Sequence, residues 1–333
     1  MKQFNKLLAS SLLVFSTYTY ADNIDVAQTV ATFDERPGNI AISTDGKVYL
    51  SVQPLLNPNT KVLELSAIGT NKAYPNEEYS SGKDSIIKAA IGIKVDKDGN
   101  LWILDLGDKK FIVWDTKQNK LNRIITIPED VLTPASFLQD FALDEKRNRV
   151  IIADMTQGDL KSAPIPAFVT VDTVTGKAKR IAQSHTSMMP DFEGGFALNP
   201  IAIDPYFDWV YFGALHGKKI YRVPADSFDN EQKVIDNIKE YGPKSYSDGI
   251  AADAHGNVYI SDVETHTIGL TTQGAYTTLA KLPEGQSWAD GFAIAPDGYI
   301  YATVNQLNRT AALNNGKEEG TGTYLIVKTK AVK

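Results

Sequence analysis

Three residues at one register of consecutive repeats could do chemistry together: Asn199 in "NPIAIDPYFDWVYFGA", Asp248 in "SDGIAADAHGNVYISD" and Asp290 in "ADGFAIAPDGYIYAT". Gln139, in "LQDFALDEKRNRVIIAD", shares that register, and Gly38 and Ile91 hold it in the first two repeats. Two carboxylates and two carboxamides offer the hard oxygen ligands that Ca²⁺ takes, with water completing the shell. They suit an organic ammonium equally well. Without a cation two acids this close repel, which raises one pKa toward a general acid or base. A single Asp-Gly also has a local reading, a loop-to-strand turn whose carboxylate accepts backbone N–H groups; the shared register of Asn199, Asp248 and Asp290 argues for a common site.

Phe141, Phe196, Trp288 and Phe292 flank these residues in sequence. An aromatic face beside a carboxylate makes an ammonium site through charge and cation-π attraction, although Phe141 and Phe292 fit a core between repeats as well. The loops after each repeat's second strand should rise on the same face, carrying Asp105, Asp108, Asp154, His216, Glu264, His266 and Asn305. His216, in "GALHGKK", is the best placed for proton transfer because imidazole titrates near neutral pH; the competing reading is an exposed loop histidine with no role. Gly-rich phosphate loops, Ser-centred elbows and Cys/His zinc patterns are missing.

The elements that must position these residues are written six times. Turns at Gly46, Gly99, Asn148, Asp208, Gly256 and Gly298 each join two runs of period-2 apolar alternation, the signature of a hairpin. Further strand-like runs between the hairpins, such as "KFIVWDT" then "KLNRIITI", bring each repeat to four strands. The expected fold is all-β, a six-bladed β-propeller. In such a ring the innermost strand of each blade starts beside the axis, so the register residues meet there. The last repeat has one clear strand after its hairpin, "GTYLIVKTKA", and the early run "DVAQTVATF" is unpaired; closure by that N-terminal strand would cover an otherwise bare edge. Residues 22–333 are expected to form one domain, in which "LNRTAALNNGKEEGTG" is the one long loop.

The first 21 residues, "MKQFNKLLASSLLVFSTYTYA", have a basic start, a short apolar run and small residues before Asp22. That is the pattern of a secretory signal peptide, with cleavage expected after Ala21 and a secreted or periplasmic product. No later run approaches the roughly 20 apolar residues of a membrane helix, so no membrane insertion is expected. Cysteine is absent and the formal charge is −6. Disulfides and thiolate metal sites are thereby excluded, and the acidity argues against nucleic acid as a partner.

The blocks "IKVDKDGNLWILDLG", "SFLQDFALDEKRNRVIIADMT", "NPIAIDPYFDWVYFGALHGKKIYRVPADSF", "YSDGIAADAHGNVYISDV" and "WADGFAIAPDGYIYATVNQLNR" resemble, in order and spacing, the Yellow / major royal jelly protein family. The resemblance implies a six-bladed propeller whose central funnel binds small cationic or aromatic ligands, with dopachrome conversion in some members. A tautomerase-like reaction would then use Asp248 or Asp290 as base and His216 as acid, with Gln139, Asn199, Phe196, Trp288 and Asn305 contacting the ligand. The fold is also similar to the regucalcin/gluconolactonase propellers, which hold a divalent metal through a first-blade Glu, a fourth-blade Asn and a fifth-blade Asp. Asn199 and Asp248 match the last two, Gly38 stands where the Glu would be, and Asp290 could supply the lost carboxylate, giving Asn199, Asp248 and Asp290 as the metal set, for Ca²⁺ first. Two further readings stay open: a metal-dependent lactonase or hydrolase of the gluconolactonase type, and a protein-interaction propeller.

Overall fold

The computed structural model describes residues 24–66 and 71–332; residues 1–21, expected to be a signal peptide, lie outside the described residues. The closing strand comes first in the chain, β1 (Gln28–Phe33). Blade 1 contains β2 (Pro37–Ile42), β3 (Val48–Val52), β4 (Val62–Leu65) and β5 (Asn71–Ala73). In blade 2 are β6 (Ala90–Val95), β7 (Asn100–Asp105), β8 (Lys110–Asp115) and β9 (Lys120–Thr126), and in blade 3 β10 (Leu138–Asp144), β11 (Arg149–Asp154), β12 (Ala167–Asp172) and β13 (Ala178–Ile181). Blade 4 comprises β14 (Leu198–Ile203), β15 (Trp209–Ala214), β16 (Lys219–Pro224) and β17 (Lys239–Pro243); blade 5, β18 (Ile250–Ala252), β19 (Val258–Asp262), β20 (Thr267–Thr272) and β21 (Ala275–Lys281). Blade 6 is β22 (Ala289–Ile294), β23 (Tyr299–Val304) and β24 (Tyr324–Lys330), completed by β1.

The closure expected from the sequence is present. β1 runs antiparallel to β24, from Gln28 opposite Lys328 to Phe33 opposite Tyr324. The inner strands β2, β6, β10, β14, β18 and β22 each touch the next, and β22 touches β2, so the ring is complete. Helices among the described residues are brief, α1 (Glu77–Ser80) and α2 (Glu231–Asn237).

The apolar faces produced by period-2 alternation pack blade against blade rather than into one central core. Trp102 and Phe111 of blade 2 meet Phe137 and Phe141 of blade 3, and Phe111 and Phe141 stand edge to face with centroids 4.9 Å apart. Phe168 and Phe212 repeat that geometry between blades 3 and 4, also at 4.9 Å. Phe141 and Phe292 are therefore core residues between blades, which decides the choice that the sequence left open.

Six interfaces leave the axis itself for function. On the hairpin-turn face it widens into an apolar funnel of about 940 Å³ whose wall includes Ile42, Val95, Leu143, Ile203, Ala252 and Ile294. On the opposite face a cavity of about 50 Å³ contains the register residues. Lys94, on the funnel wall, bonds Asp140, on the cavity wall, Nζ to Oδ2 3.0 Å, so an ion pair stands between the two spaces.

Candidate functional site

In five of the six blades a bulge in the inner strand falls at the register residue; blade 5, which carries Asp248, pairs without one. In blades 1, 2, 3, 4 and 6 the pairing of the first two strands slips by one residue at that position, as between Pro37 and Ile40 or between Ala289 and Phe292. A bulge re-aims side chains and leaves backbone groups to be satisfied otherwise. Second-strand hydroxyls satisfy inner-segment backbone groups in three adjacent blades, two of them bulged. Ser261 Oγ accepts from Asp248 N at 2.7 Å and Gly249 N at 3.1 Å; Thr303 Oγ1 accepts from Gly291 N at 2.9 Å and donates to Gly38 O at 2.5 Å; Ser51 Oγ accepts from Asn39 N at 2.8 Å and donates to Ile91 O at 2.7 Å. The last two hydroxyls stitch one blade to the next.

The Gly of each Asp-Gly has its own cause. A β-carbon at Gly249 would overlap the Asp290 main chain, and one at Gly291 would lie 2.6 Å from Asn39 Cα. Adjacent inner strands approach here too closely for any side chain.

Gly38, Ile91, Gln139, Asn199, Asp248 and Asp290 all line the one cavity. Asp248 accepts from Asn199 Nδ2 at 2.8 Å on Oδ1 and from Trp288 Nε1 at 2.7 Å on Oδ2. Asp290 accepts from Asn305 Nδ2 at 2.6 Å and, more weakly, from Gln53 Nε2 at 3.4 Å, both on Oδ2. Trp288 holds its indole there from a left-handed backbone, φ 59°, a conformation that is an outlier for a bulky residue and persists where the surroundings enforce it. Burial pushes the Asp248 carboxyl up to about 6 against the pull of its two donors, and the charge of Asp140 adds to the rise. Asp290 lies well above the ordinary carboxylate value, through burial first and the neighbouring Asp248 charge second.

Other residues singled out from the sequence have different work. His216 is absent from the cavity wall: its Nδ1 accepts from Phe196 N at 2.8 Å, its ring stacks on Phe196 at 5.2 Å, and burial, aided by the Lys244 charge, pulls its pKa down to about 4. Asp105 and Asp154 are fully buried staples that accept backbone N–H groups from Ala89 and Phe137, both at 2.8 Å. Asp96, Asp204 and Asp253 organise hairpin turns in the same way on the far face. Asn305 alone among the loop candidates bonds a cavity carboxylate. Asp140, Gln53 and Ser51 line the cavity without having been singled out; Asp140 stands directly after the register residue Gln139, and the bulge brings both to the axis.

A metal in this ring would need oxygen facing it. Among the described residues no group of three or more His, Cys, Asp or Glu could hold a metal ion. Asn199 and Asn305 turn amide N–H, not oxygen, toward the acids, and the Trp288 indole covers Asp248 Oδ2. The donor set as arranged does not fit Ca²⁺, which takes six to eight oxygens.

The family model for major royal jelly proteins matches residues 88–325. The chain belongs to the major royal jelly protein family. No curated protein matches it. Solved structures with the same fold include a luciferin-regenerating enzyme (TM-score 0.63, 10% identity, covering 92% of this chain and 95% of that one). A gluconolactonase from Xanthomonas campestris (0.59, 12%, 91% and 87%) and a calcium-binding protein, regucalcin, from Agrobacterium tumefaciens C58 (0.58, 14%, 92% and 97%) are similar too. At these identities the likeness carries the propeller fold and not an activity.

Proposed function

We propose that this major royal jelly protein family member is an exported propeller whose axial cavity binds the ammonium head of a small aromatic amine. One observation carries the reading: two buried carboxyl groups face a single small cavity, and N–H donors hold three of their four oxygens. Burial holds both carboxyls above the ordinary carboxylate range, Asp248 at about 6, and a cation that enters beside them favours their ionised forms. Asp140 is balanced by Lys94. N–H donors already occupy three of the four oxygens, which suits one ammonium better than a divalent ion that takes six to eight oxygen ligands. The volume of about 50 Å³ accepts a head group, since one water needs roughly 10–15 Å³ on this kind of measure; the aromatic part would rest on Phe196 and Trp288 with cation-π attraction of about 0.5–2 kcal/mol. Export rests on residues 1–21, and N-terminal sequencing of the secreted protein should begin at Asp22.

Calorimetry with dopamine tests the reading. Wild type should bind, Asp248→Asn should bind at least about tenfold more weakly through loss of the charge, and Ca²⁺ should not compete. Equal affinity in both proteins, or displacement by stoichiometric Ca²⁺, sinks it and promotes the metal-dependent alternative.

The same pair supports a second reading, proton transfer of the dopachrome-tautomerase kind. Asp248 can take a proton and Asp290, which burial and the Asp248 charge push toward its protonated form, can return one, a role the sequence had assigned to His216. Asp290→Asn should then slow dopachrome conversion by about 10²–10⁴. An unchanged rate removes this reading and leaves binding.

A further inference from the structure

The loops between the second and third strands differ in length around the ring. They are short in blades 2, 4 and 5, at 106–109, 215–218 and 263–266, and long in blades 1, 3 and 6, at 53–61, 155–166 and 305–323. The long ones roof the cavity: Leu55 comes from blade 1, Leu160 from blade 3, and Leu307 and Leu313 from blade 6.

The blade 6 loop is compact. A short 3-10 turn spans Leu307–Arg309, Glu319 N donates back to Arg309 O at 2.8 Å, and Gln306 Nε2 reaches Thr321 Oγ1 at 2.7 Å. It behaves as one packed unit, an Ω-loop closed by its own side chains.

Two contacts tie this unit to the carboxyl pair. Leu307 and Leu313 pack with Trp288, Leu215 and Val263 in a small apolar cluster separate from the six between blades, and Trp288 is the donor to Asp248. Asn305, at the loop's start, is the donor to Asp290. Arg36, in the segment between β1 and β2, fastens the loop to the neighbouring blade 1. Arg36 Nη2 meets Glu318 Oε1 at 2.6 Å, Arg36 Nε donates to Asn305 O at 2.9 Å, and the guanidinium lies 4.6 Å from the Tyr324 ring centroid. Glu318 also accepts from Gly320 N at 3.2 Å and Ala311 N at 3.4 Å, so one carboxylate gathers both limbs of the loop onto Arg36. A side chain at Gly320 would overlap the Arg36 guanidinium.

We infer that residues 305–323 are a lid over the axial cavity, latched by Arg36 and Glu318, and that Leu307 and Leu313 set the size of ligand the site admits. The inference deepens the amine-binding reading and rests on it for the nature of the ligand. With the roof in place the cavity of about 50 Å³ has no room for an aromatic ring, so an arylalkyl amine must displace the leucines, whereas a methylammonium ion need not.

Hydrogen exchange and amine binding on the full chain test it. Glu318→Gln keeps the shape and removes the latch charge at an exposed position; amides bonded within the loop, Thr310, Leu313 and Glu319, should exchange about tenfold faster or more, while those of β24 do not change. Leu313→Ala should bind phenethylammonium at least about fivefold tighter than wild type and methylammonium within about twofold. If wild type binds neither amine and the loop still exchanges faster in Glu318→Gln, the ligand reading falls and the latch stands. Amine binding with unaltered exchange in Glu318→Gln overturns the latch, and equal effects of Leu313→Ala on both amines overturn the size filter.

Discussion

Gly249 lies so close to Asp290 that a β-carbon at Gly249 would overlap the Asp290 main-chain oxygen. Asp290, on β22, and the segment that carries Asp248 into β18 are therefore in backbone contact, and the glycine permits that contact. Gly249→Ala should wedge blades 5 and 6 apart and cost about 1–3 kcal/mol or more. Gly158, where an added carbon meets ordinary packing at 3.5 Å, is the matched control and should change stability by less than about 0.5 kcal/mol. Urea unfolding of the two variants checks this; equal stabilities would refute the close approach.

Ring closure makes a second expectation. β1 covers the free edge of β24, and Ala27 N also bonds Lys281 O of blade 5 at 2.8 Å, so the N-terminal segment bridges two blades. A mature chain lacking residues 22–33 should melt at least several degrees lower and self-associate through the bared edge. Unchanged cooperative melting of a monomer would count against closure as a source of stability.

Trp288→Phe keeps an aromatic wall and removes the N–H on Asp248 Oδ2. Losing a donor to a buried carboxylate costs about 1.5–3 kcal/mol and disfavours the charged form. The Asp248 carboxyl should titrate above its value of about 6, which carbon-detected NMR of the side chain reads directly. A titration midpoint at or below that of wild type would show that the indole does not hold the charge.

The fold was legible because six hairpins with period-2 alternation leave little choice of architecture, and the strand that β24 lacked was visible as an unpaired run at the N-terminus. The register residues were legible for the same reason: counting from the turns placed Asn199, Asp248 and Asp290 on one wall. Asp140 escaped because counting assumes unbroken alternation, and the bulge between Leu138 and Phe141 breaks it. Gln53 escaped because it comes from a loop whose path is set by tertiary contacts. The position of His216 could not be read either, since its ring stacks on Phe196 and its Nδ1 takes up the Phe196 N–H, contacts that no periodicity records.

Lys244 gives a pH dependence outside the cavity. Among the described residues no carboxylate lies in ion-pair range of its buried amine, whose Nζ donates to Ser245 O at 3.0 Å and more distantly to Leu215 O at 3.4 Å, and burial pulls its pKa from 10.5 down to about 7. Between those values the unfolded chain binds more protons than the folded one, so this group's contribution to stability rises with pH through that window; below about 7 its full cost applies. Relative to Lys244→Met, wild type should gain about 2–4 kcal/mol between pH 7 and pH 10, at 1.36 kcal/mol per unit. A pH-independent difference would mean that the amine is paired or hydrated.

The carboxyl pair makes the most discriminating prediction, because it ties ligand to proton. A cation entering beside Asp248 and Asp290 favours their ionised forms, and both are held above the ordinary carboxylate range by burial. Binding near neutral pH should therefore be accompanied by release of protons from the pair, and affinity should fall as pH drops through about 6 and Asp248 takes up its proton. Calorimetry with dopamine in phosphate and in Tris, whose ionisation enthalpies differ widely, counts the protons released. Asp290→Asn keeps the Asn305 side of the cavity filled and removes one of the two titrating groups, so it should still bind through Asp248 with proton release clearly below that of wild type. Proton release undiminished in Asp290→Asn would place the released proton elsewhere, and an affinity flat between pH 5 and pH 8 would show that the pair does not carry the binding charge.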